Sequence, residues 1–210
     1  TWPAHALALT AAQPELMCHG VETWAALNPL IERASVIVVG PGLGQDEWGR
    51  ALLARVLECE QPLVLDADAL NLLAEDPSKS TRWVLTPHPG EAARLLEWST
   101  AQVQHDRVTA VRALRERYGG VAVLKGAGTL VLGESLALCP HGNPGMAVGG
   151  MGDVLAGILG ALLAQGLPRE AAARAAVLAH AIAGDHAACV GERGLLPGDL
   201  LDELRAVVNP

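Results

Sequence analysis

The sequence predicts an α/β domain with a mostly parallel sheet and helices on both of its faces. Short apolar segments rich in Val, Ile and Leu alternate along the chain with longer segments of helical spacing. The short segments are apolar at nearly every position, which is typical of strands that are buried on both faces. Repeated strand–loop–helix units of this kind form parallel sheets with a helical layer on each side.

Composition indicates one folded domain that spans residues 1–210. Half of the residues are hydrophobic and 18% are charged, which excludes general disorder. The sequence contains no internal repeat, low-complexity tract or linker. A net charge of −8 and a pI near 5.3 exclude the basic surface that nucleic acids and anionic membranes require. Any phosphate must therefore be bound by backbone N–H groups and a few placed side chains.

Cysteine usage predicts a reducing compartment. The four cysteines are scattered, and none forms a Cys-Xaa-Xaa-Cys pair. Such spacing is typical of small buried apolar side chains and not of a disulfide framework or a zinc site. Because the sequence shows no signal peptide or transmembrane segment, we expect a cytoplasmic protein.

The predicted strands follow from the apolar runs. Residues 1–20 have no clear period and are predicted as a strand end and a loop. A hairpin is predicted over residues 130–138, turning at Gly133 and Glu134. The buried strands are predicted at residues 34–39, 62–65, 83–86 and 121–124.

The predicted helices follow from apolar spacing and capping signals. Ser99 and Gln102 form a capping box that should begin a helix reaching about Tyr118. Glycines at 119 and 120 should end it. The other helices are predicted over 46–57, a short segment ending at 73, 91–98, an apolar segment of roughly eleven residues after Asp153, 169–190 and 199–207.

The stretch over residues 143–153 carries the strongest functional signal. Gly149, Gly150 and Gly152 crowd one turn before a helix that is apolar on every side, which predicts a buried helix too short to cross a bilayer. Its first turn offers unpaired N–H groups and a positive partial charge, a combination that binds anions. Asp153 places a carboxylate beside that anion site, either as a reactive group or as a cap of its own helix.

Further candidates follow the ends of predicted strands, where open α/β sheets bind ligands. Residues 40–44 imitate a dinucleotide-binding fingerprint, but its third glycine would have to stand where Gln45 is. Asp66, Asp68 and Asn71 form a polar shelf suited to substrate hydroxyls or Mg²⁺. Helix capping is the structural alternative for Asp68.

Two more motifs contain charged or titratable groups. His88 stands between two prolines that fix the backbone, so its ring is either presented to a ligand or purely structural. Residues 125–129 offer a lysine and a flexible turn for a phosphate or an adenosine. His180 and His186 lie six residues apart on one helix, about 240° around its axis, and are not expected to form a metal pair.

Five ordered blocks, residues 39–44, 65–71, 85–91, 124–129 and 143–153, together resemble the ADP-dependent NAD(P)H-hydrate dehydratase family. The resemblance covers most of the chain. It implies a three-layer ribokinase-like fold and a lyase that dehydrates the 6S hydrates of NADH and NADPH. ADP would be the co-substrate, with Mg²⁺ as cofactor, and AMP and phosphate would be released.

The resemblance also implies roles for individual residues. Asp153 would be catalytic, activating the hydroxyl of the hydrated ring. No residue is implied as a metal ligand. The substrate would contact Gly42, Asp66, Asp68, Asn71, His88 and Asp153, and the adenine nucleotide would contact Lys125, Gly126, Ala127, Gly128, Thr129, Gly149, Gly150 and Gly152. Implied partners are copies of the chain itself, with a tetramer as one arrangement, and an NAD(P)H-hydrate epimerase that is often fused to such domains.

Three departures from the family pattern leave other functions open. Family domains begin with a strand, a Gly-rich loop and a helix that would precede Thr1, so the domain is expected to be N-terminally incomplete. Gln13 stands in place of a usual Arg, and Val148 replaces a usual Ser, Thr or Lys. The alternatives are a kinase acting on a vitamin-precursor or sugar-like alcohol, and a nucleotide-binding module without activity.

Overall fold

The computed structural model describes residues 1–209 and contains one six-stranded sheet in the order β1-β2-β3-β4-β5-β6. Strands β1 to β4 run parallel, while β5 and β6 form an antiparallel hairpin on β4. The predicted α/β class, mostly parallel sheet and hairpin are confirmed. The strand bounds are β1 Ile37–Val39, β2 Leu63–Leu65, β3 Trp83–Leu85, β4 Val121–Leu124, β5 Thr129–Leu132 and β6 Leu136–Cys139.

Ten α-helices surround the sheet in the described part of the chain. The same part of the chain also contains two short 3₁₀ turns, Pro144–Met146 and Ala188–Val190. The helices are α1 Pro3–Ala12, α2 Trp24–Arg33, α3 Glu47–Leu57, α4 Ala67–Glu75, α5 Pro89–Leu96, α6 Thr100–His105, α7 Arg107–Tyr118, α8 Met151–Ala164, α9 Arg169–Ala187 and α10 Pro197–Val207.

Side-chain alternation along the strands builds a separate core on each face of the sheet. Leu63 and Leu65 of β2 pack in the cluster that includes side chains of α3 to α7. Val64, between them, packs in the cluster formed with α8 and α9. All three side chains are fully buried. Successive residues of a strand point to opposite faces, so this burial produces the expected three layers, helix–sheet–helix.

The first predicted strand is wrong in one respect, because β1 is not buried on both faces. It pairs only with β2 among the described residues, and the side chain of Val38 is 39% exposed. A strand at the edge of a sheet has one strand neighbour, so it is covered less completely than the central strands.

The prediction of a strand end and a loop over residues 1–20 is wrong. That segment contains α1, none of whose residues is buried, and the sequence analysis also missed α2. Pro3 stands at the first position of α1, and the rest of α1 is rich in Ala and Leu, which favour helix. An exposed helix of this composition has no polar–apolar period, so the pattern search could not identify it.

The single helix predicted over residues 99–118 is two helices. The capping box of Ser99 and Gln102 is confirmed and begins α6. Asp106, with a non-helical φ of −139°, separates α6 from α7. Its carboxylate accepts a hydrogen bond from the Thr109 amide at 2.9 Å and so caps α7. Asp106 is itself the sequence signal for the start of a second helix, because Asp is a preferred N-cap residue.

The prediction that α8 is buried on every side is wrong. It is fourteen residues long, and Asp153, Gly157, Ala161 and Ala164 are exposed. Several of its residues are Ala or Gly, which are small enough to occupy buried or exposed positions. Among residues 1–209, no helix is long and apolar enough to cross a membrane.

The cysteine prediction is confirmed for two of the four positions. Cys59 and Cys139 are buried, Cys18 is half-buried and Cys189 is exposed. All four are free thiols, as expected from their spacing.

We expect Gly120→Ala to destabilise the protein much more than Gly166→Ala. Both glycines have positive φ, at +62° and +88°. A Cβ at Gly120 would overlap the carbonyl oxygen of Trp83, whereas one at Gly166 has open space. Backbone strain alone should cost about 1 kcal/mol at Gly166, and the added steric clash should bring the loss at Gly120 to roughly 2–4 kcal/mol. Denaturant unfolding of both variants measures the difference; equal losses would contradict this account.

Candidate active site

The carboxyl ends of the parallel strands meet the first turn of α8 at a buried ion pair. Asp66 follows β2, Thr86 follows β3 and Lys125 follows β4. The Lys125 Nζ lies 2.7 Å from Asp66 Oδ1, and the Thr86 hydroxyl lies 3.0 Å from the same oxygen. The Asp66 side chain is 1% exposed and that of Lys125 is 17% exposed. Asp66 therefore faces Lys125 and not the solvent.

Glu91 adds a second buried carboxylate to this ion pair. Its Oε2 accepts a hydrogen bond from the His88 amide at 2.8 Å and lies 3.9 Å from Lys125 Nζ. Burial raises the pKa of Glu91, while the charge of Lys125 and the bond from the amide oppose that rise. The sequence analysis assigned Glu91 no role, although its place three residues after His88 fits a capping box.

His88 is the N-cap of α5, so its ring has a structural role. Its Nδ1 accepts hydrogen bonds from the amides of Gly90 at 3.0 Å and Glu91 at 3.2 Å. Burial first, then the charges of Lys125 and Arg94, lower its pKa. The ring is thus neutral with its hydrogen on Nε2. About half of the side chain stays exposed, so the ring can still contact a ligand.

Asp68 supports the glycine loop that follows β1. It accepts hydrogen bonds from the Gly44 amide at 3.0 Å and from Gln45 Nε2 at 2.8 Å. Gly42 lies in the same loop. Asp66, not Asp68, is the N-cap residue of α4, so the capping alternative for Asp68 is wrong. Asn71 lies one turn further along α4.

The first turn of α8 lies against the ion pair. Gly150 is the N-cap residue, with φ +91°, and Gly149 precedes it in open space. A Cβ on Gly152 would lie 2.9 Å from Lys125 Nζ and 3.6 Å from Asp66 Oδ2. Only a residue without a side chain lets the lysine approach this closely.

Asp153 occupies the first turn of α8 and is exposed. No side chain caps the helix, and among residues 1–209 no group donates a hydrogen bond to the carboxylate of Asp153. The alternative that this aspartate caps its own helix is therefore wrong. A free carboxylate remains at the edge of a glycine-lined helix N-terminus.

Arg107 holds the loop over residues 125–128 and was missed by the sequence analysis. Its guanidinium donates hydrogen bonds to the carbonyls of Leu124 at 3.1 Å, of Lys125 at 3.3 Å and of Ala127. The Thr129 hydroxyl closes the loop on the Gly126 carbonyl at 3.0 Å. Burial lowers the pKa of Arg107. Arg107 begins a helix 18 residues before Lys125, so no local pattern connects the two.

His180 supports α8 from the neighbouring helix. Its Nε2 lies 2.9 Å from the Met151 carbonyl oxygen. Burial lowers its pKa from 6.5 to about 4, so the folded protein holds the ring neutral. His186 lies instead near Glu203, with 3.9 Å between Nδ1 and Oε2. The two histidines thus face different elements, α8 and α10.

We expect His180 to make the folded state less stable in acid. The unfolded ring binds a proton near pH 6.5 and the folded ring near pH 4. The neutral ring therefore makes its full contribution to the unfolding free energy above pH 6.5, and this contribution is lost as the pH falls from 6.5 towards 4. The fall in unfolding free energy between pH 7 and 4.5 should be about 2–3 kcal/mol smaller in His180→Gln than in the unmodified chain.

Denaturant titrations across this pH range test the expectation. His186→Gln, on the same helix, is the matched control and should follow the unmodified chain, because its side chain is half exposed. Identical pH profiles for the two variants would contradict a buried neutral His180.

Comparison with known proteins finds similarity over nearly the whole chain. The Carb_kinase family model, described as NAD(P)H-hydrate dehydratase, matches residues 3–206. The chain is 55% identical over 213 residues to the bifunctional NAD(P)H-hydrate repair enzyme Nnr of Coxiella burnetii, covering 100% of this chain and 44% of that protein. It spans less than half the length of the bifunctional relatives that it matches.

Solved structures show the same fold. A ribokinase-like superfamily protein from Enterococcus faecalis superposes with a TM-score of 0.86 at 31% identity, covering 96% of this chain and 72% of that chain. ADP/ATP-dependent NAD(P)H-hydrate dehydratase from Bacillus subtilis, co-crystallised with ATP/Mg²⁺ and soaked with CoA, gives 0.84 at 27% identity, covering 100% and 78%. The predicted ribokinase-like fold is confirmed, and the chain belongs to the NAD(P)H-hydrate dehydratase family.

Proposed function

We propose that this chain dehydrates the 6S hydrates of NADH and NADPH at the expense of ADP. The observation that carries the proposal is the free, exposed carboxylate of Asp153 at the glycine-lined start of α8. Family membership supplies the substrate class. Phosphoryl transfer requires from a protein mainly positioning and charge stabilisation, which this edge of the sheet offers.

The substrate side of the proposed site is the edge formed by Gly42, Asp68, Asn71, His88 and Asp153. These residues belong to the loop after β1, to α4, and to the starts of α5 and α8. Asp153 and the exposed half of His88 would contact the hydrated ring. Asp68 would act by holding the glycine loop in place. The buried Asp66 would act through Lys125, by fixing the position of its ammonium group.

The nucleotide side consists of the loop over residues 125–129 together with Gly149, Gly150 and Gly152. The N–H groups in the first turn of α8 would bind the phosphates. Lys125 would add a positive charge beside Gly152. Gly126, Ala127, Gly128 and Thr129, whose loop Arg107 holds, would contact the adenosine.

The chemistry divides into two steps. Asp153 takes the proton from the ring hydroxyl while that oxygen forms a bond to the β-phosphorus of ADP. The bond between this phosphorus and the oxygen shared with the α-phosphate breaks, and AMP leaves. The ring then expels phosphate by cleaving its C–O bond, and loss of a proton from the adjacent ring carbon forms the double bond. Phosphorylation thus converts a poor leaving group into a good one.

The residues present fit a Mg²⁺ ion that arrives with the nucleotide. Residues 1–209 contain no cluster of three or more His, Cys, Asp or Glu side chains that could hold a metal. Mg²⁺ commonly uses one or two carboxylates together with substrate phosphates and water, so a protein cage is not needed. Asp153, in the first turn of α8, would be the carboxylate that holds the ion beside the phosphates, and the ion would neutralise phosphate charge.

Incubation with the hydrate of NADH and ADP tests the proposal. Recovery of NADH absorbance with one AMP and one phosphate released per NADH would support it. Formation of a phosphorylated alcohol would instead favour the kinase alternative, and nucleotide binding without turnover would favour an inactive module.

We further infer a cytoplasmic enzyme that assembles with copies of itself. We also infer that it works with an epimerase, which the bifunctional names of its relatives support.

We expect Asp153→Asn to lower turnover by ~10²–10⁴-fold, the usual contribution of a general base, with little change in ADP affinity. The amide keeps the size of the side chain but does not accept the proton. Steady-state rates and calorimetric ADP binding separate the two effects. Asp202→Asn, at another exposed aspartate, is the control and should retain full activity. A normal rate in Asp153→Asn would exclude the base assignment.

We expect Gly152→Val to weaken ADP binding by about tenfold or more, because its side chain would displace Lys125 from the start of α8. Gly157→Val, on the same helix but with open space around the added Cβ, is the matched control. Its ADP affinity should change by less than about twofold. Calorimetry measures both. Equal affinities in the two variants would place the phosphates elsewhere.

A further inference from the structure

A cleft of about 550 Å³ opens beside the proposed substrate side, and of its lining residues only Asn71 has a role assigned above. It is lined by Gln45, Asn71, Ala74, Glu75 and Arg94. Gln45 donates a hydrogen bond to Asp68, and Arg94 donates one to Asn71, at 2.8 and 3.0 Å. Two hydrogen bonds therefore connect the lining of the cleft to residues of the proposed substrate side.

Arg94 carries the uncompensated charge of this cleft. Among residues 1–209 no carboxylate lies within 4.0 Å of its guanidinium, whose single side-chain partner is the neutral Asn71. The neighbouring cations are already paired. Arg50 lies 2.7 Å from Glu75, and Lys125 lies 2.7 Å from Asp66. Arg94 thus keeps most of its five N–H donors free.

The cleft adjoins residues of the proposed substrate side, because Gln45 and Arg94 donate hydrogen bonds to Asp68 and Asn71. Arg94 lies on α5, the helix that His88 caps. It is near enough to His88 for its charge to help lower the pKa of the ring, after burial and Lys125. Arg94 also opposes the rise that burial causes in the pKa of Glu91. Arg94 and His88 thus lie less than two turns apart on the same helix.

The proposed substrate has a chemical requirement that this cleft meets. A nicotinamide dinucleotide carries a diphosphate, and its NADP form carries a further 2′-phosphate. Apart from Arg94, the residues that line the cleft are neutral or, like Glu75, acidic and paired with a cation, and the chain has a net charge of −8. An arginine binds phosphate through two parallel hydrogen bonds, and Asn71 holds this one in place.

We propose that the cleft beside Arg94 binds a phosphate of the dinucleotide hydrate, separately from the phosphates of ADP. This inference rests on the proposed function, because it assumes that the ring of the hydrate occupies the Asp153 side. Arg94 is a binding residue in this arrangement, and Asn71 positions its guanidinium. The diphosphate and the 2′-phosphate are the two groups that could occupy the cleft.

Kinetics of Arg94→Ala and Arg94→Lys test the proposal. Arg94→Ala should raise the KM for the hydrate about 10- to 100-fold, with kcat and the KM for ADP within about twofold. Arg94→Lys should restore part of the loss, because it keeps the charge without the planar fork. Arg112→Ala removes an equivalent exposed charge at the opposite edge of the sheet and should behave as the unmodified chain.

The two phosphate sources give different outcomes. Equal losses for the hydrates of NADH and NADPH assign Arg94 to the diphosphate, and a loss confined to the NADPH hydrate assigns it to the 2′-phosphate. An unchanged KM for both hydrates, or a loss shared by ADP, overturns the proposal. Fluorescence titration with NADH and NADPH provides a readout without turnover. If the unmodified chain binds NADPH but does not dehydrate the hydrate, the proposed function is wrong. The NADPH affinity of Arg94→Ala then still tests the role of Arg94.

Discussion

The buried ion pair of Lys125 and Asp66 is the contact on which the candidate site depends. It connects the ends of β2 and β4, and it lies against the first turn of α8. Breaking such a pair by removing one partner typically costs about 3–5 kcal/mol, because the other charge stays buried without compensation. The pair therefore fixes three elements relative to one another, and the site has a defined shape before any ligand binds.

The polar groups around this pair are mostly engaged by the protein itself. His88 caps α5, Glu91 accepts the amide of His88, and Asp68 holds the glycine loop. Each bond fixes the direction of a side chain and removes it from the set of groups free to react. The side chain of Asp153 differs from them, since no group among residues 1–209 donates a hydrogen bond to its carboxylate. This contrast between a rigid surround and one free carboxylate supports its assignment as the reactive group.

Charge is distributed unevenly across the two sides of the proposed site. On the nucleotide side, the helix N–H groups provide positive potential despite the net charge of −8, and Lys125 lies beside them, paired with Asp66. On the substrate side, Arg94 is the cation without a carboxylate partner in the described chain. In the proposed reaction the phosphates of two different molecules would bind together, and a separate positive group for each would hold the two anions apart.

The sequence by itself determined the α/β class, the positions of the central strands and the strand ends at which the candidate residues gather. These features follow from local apolar runs and from glycines and polar residues at strand ends, which short segments of sequence record. The capping box of Ser99 and Gln102 was readable for the same reason, because both residues lie within one helical turn.

Only the tertiary structure decided which polar residues face one another. Arg107 reaches the loop after β4 across 18 residues, and Lys125 meets Asp66 across 59. The exposure of Val38 and of one side of α8 depended on which elements pack beside them, and α1 has no buried face to give it a period. Such pairings are set by the packing of distant segments, so no local pattern in the sequence encodes them.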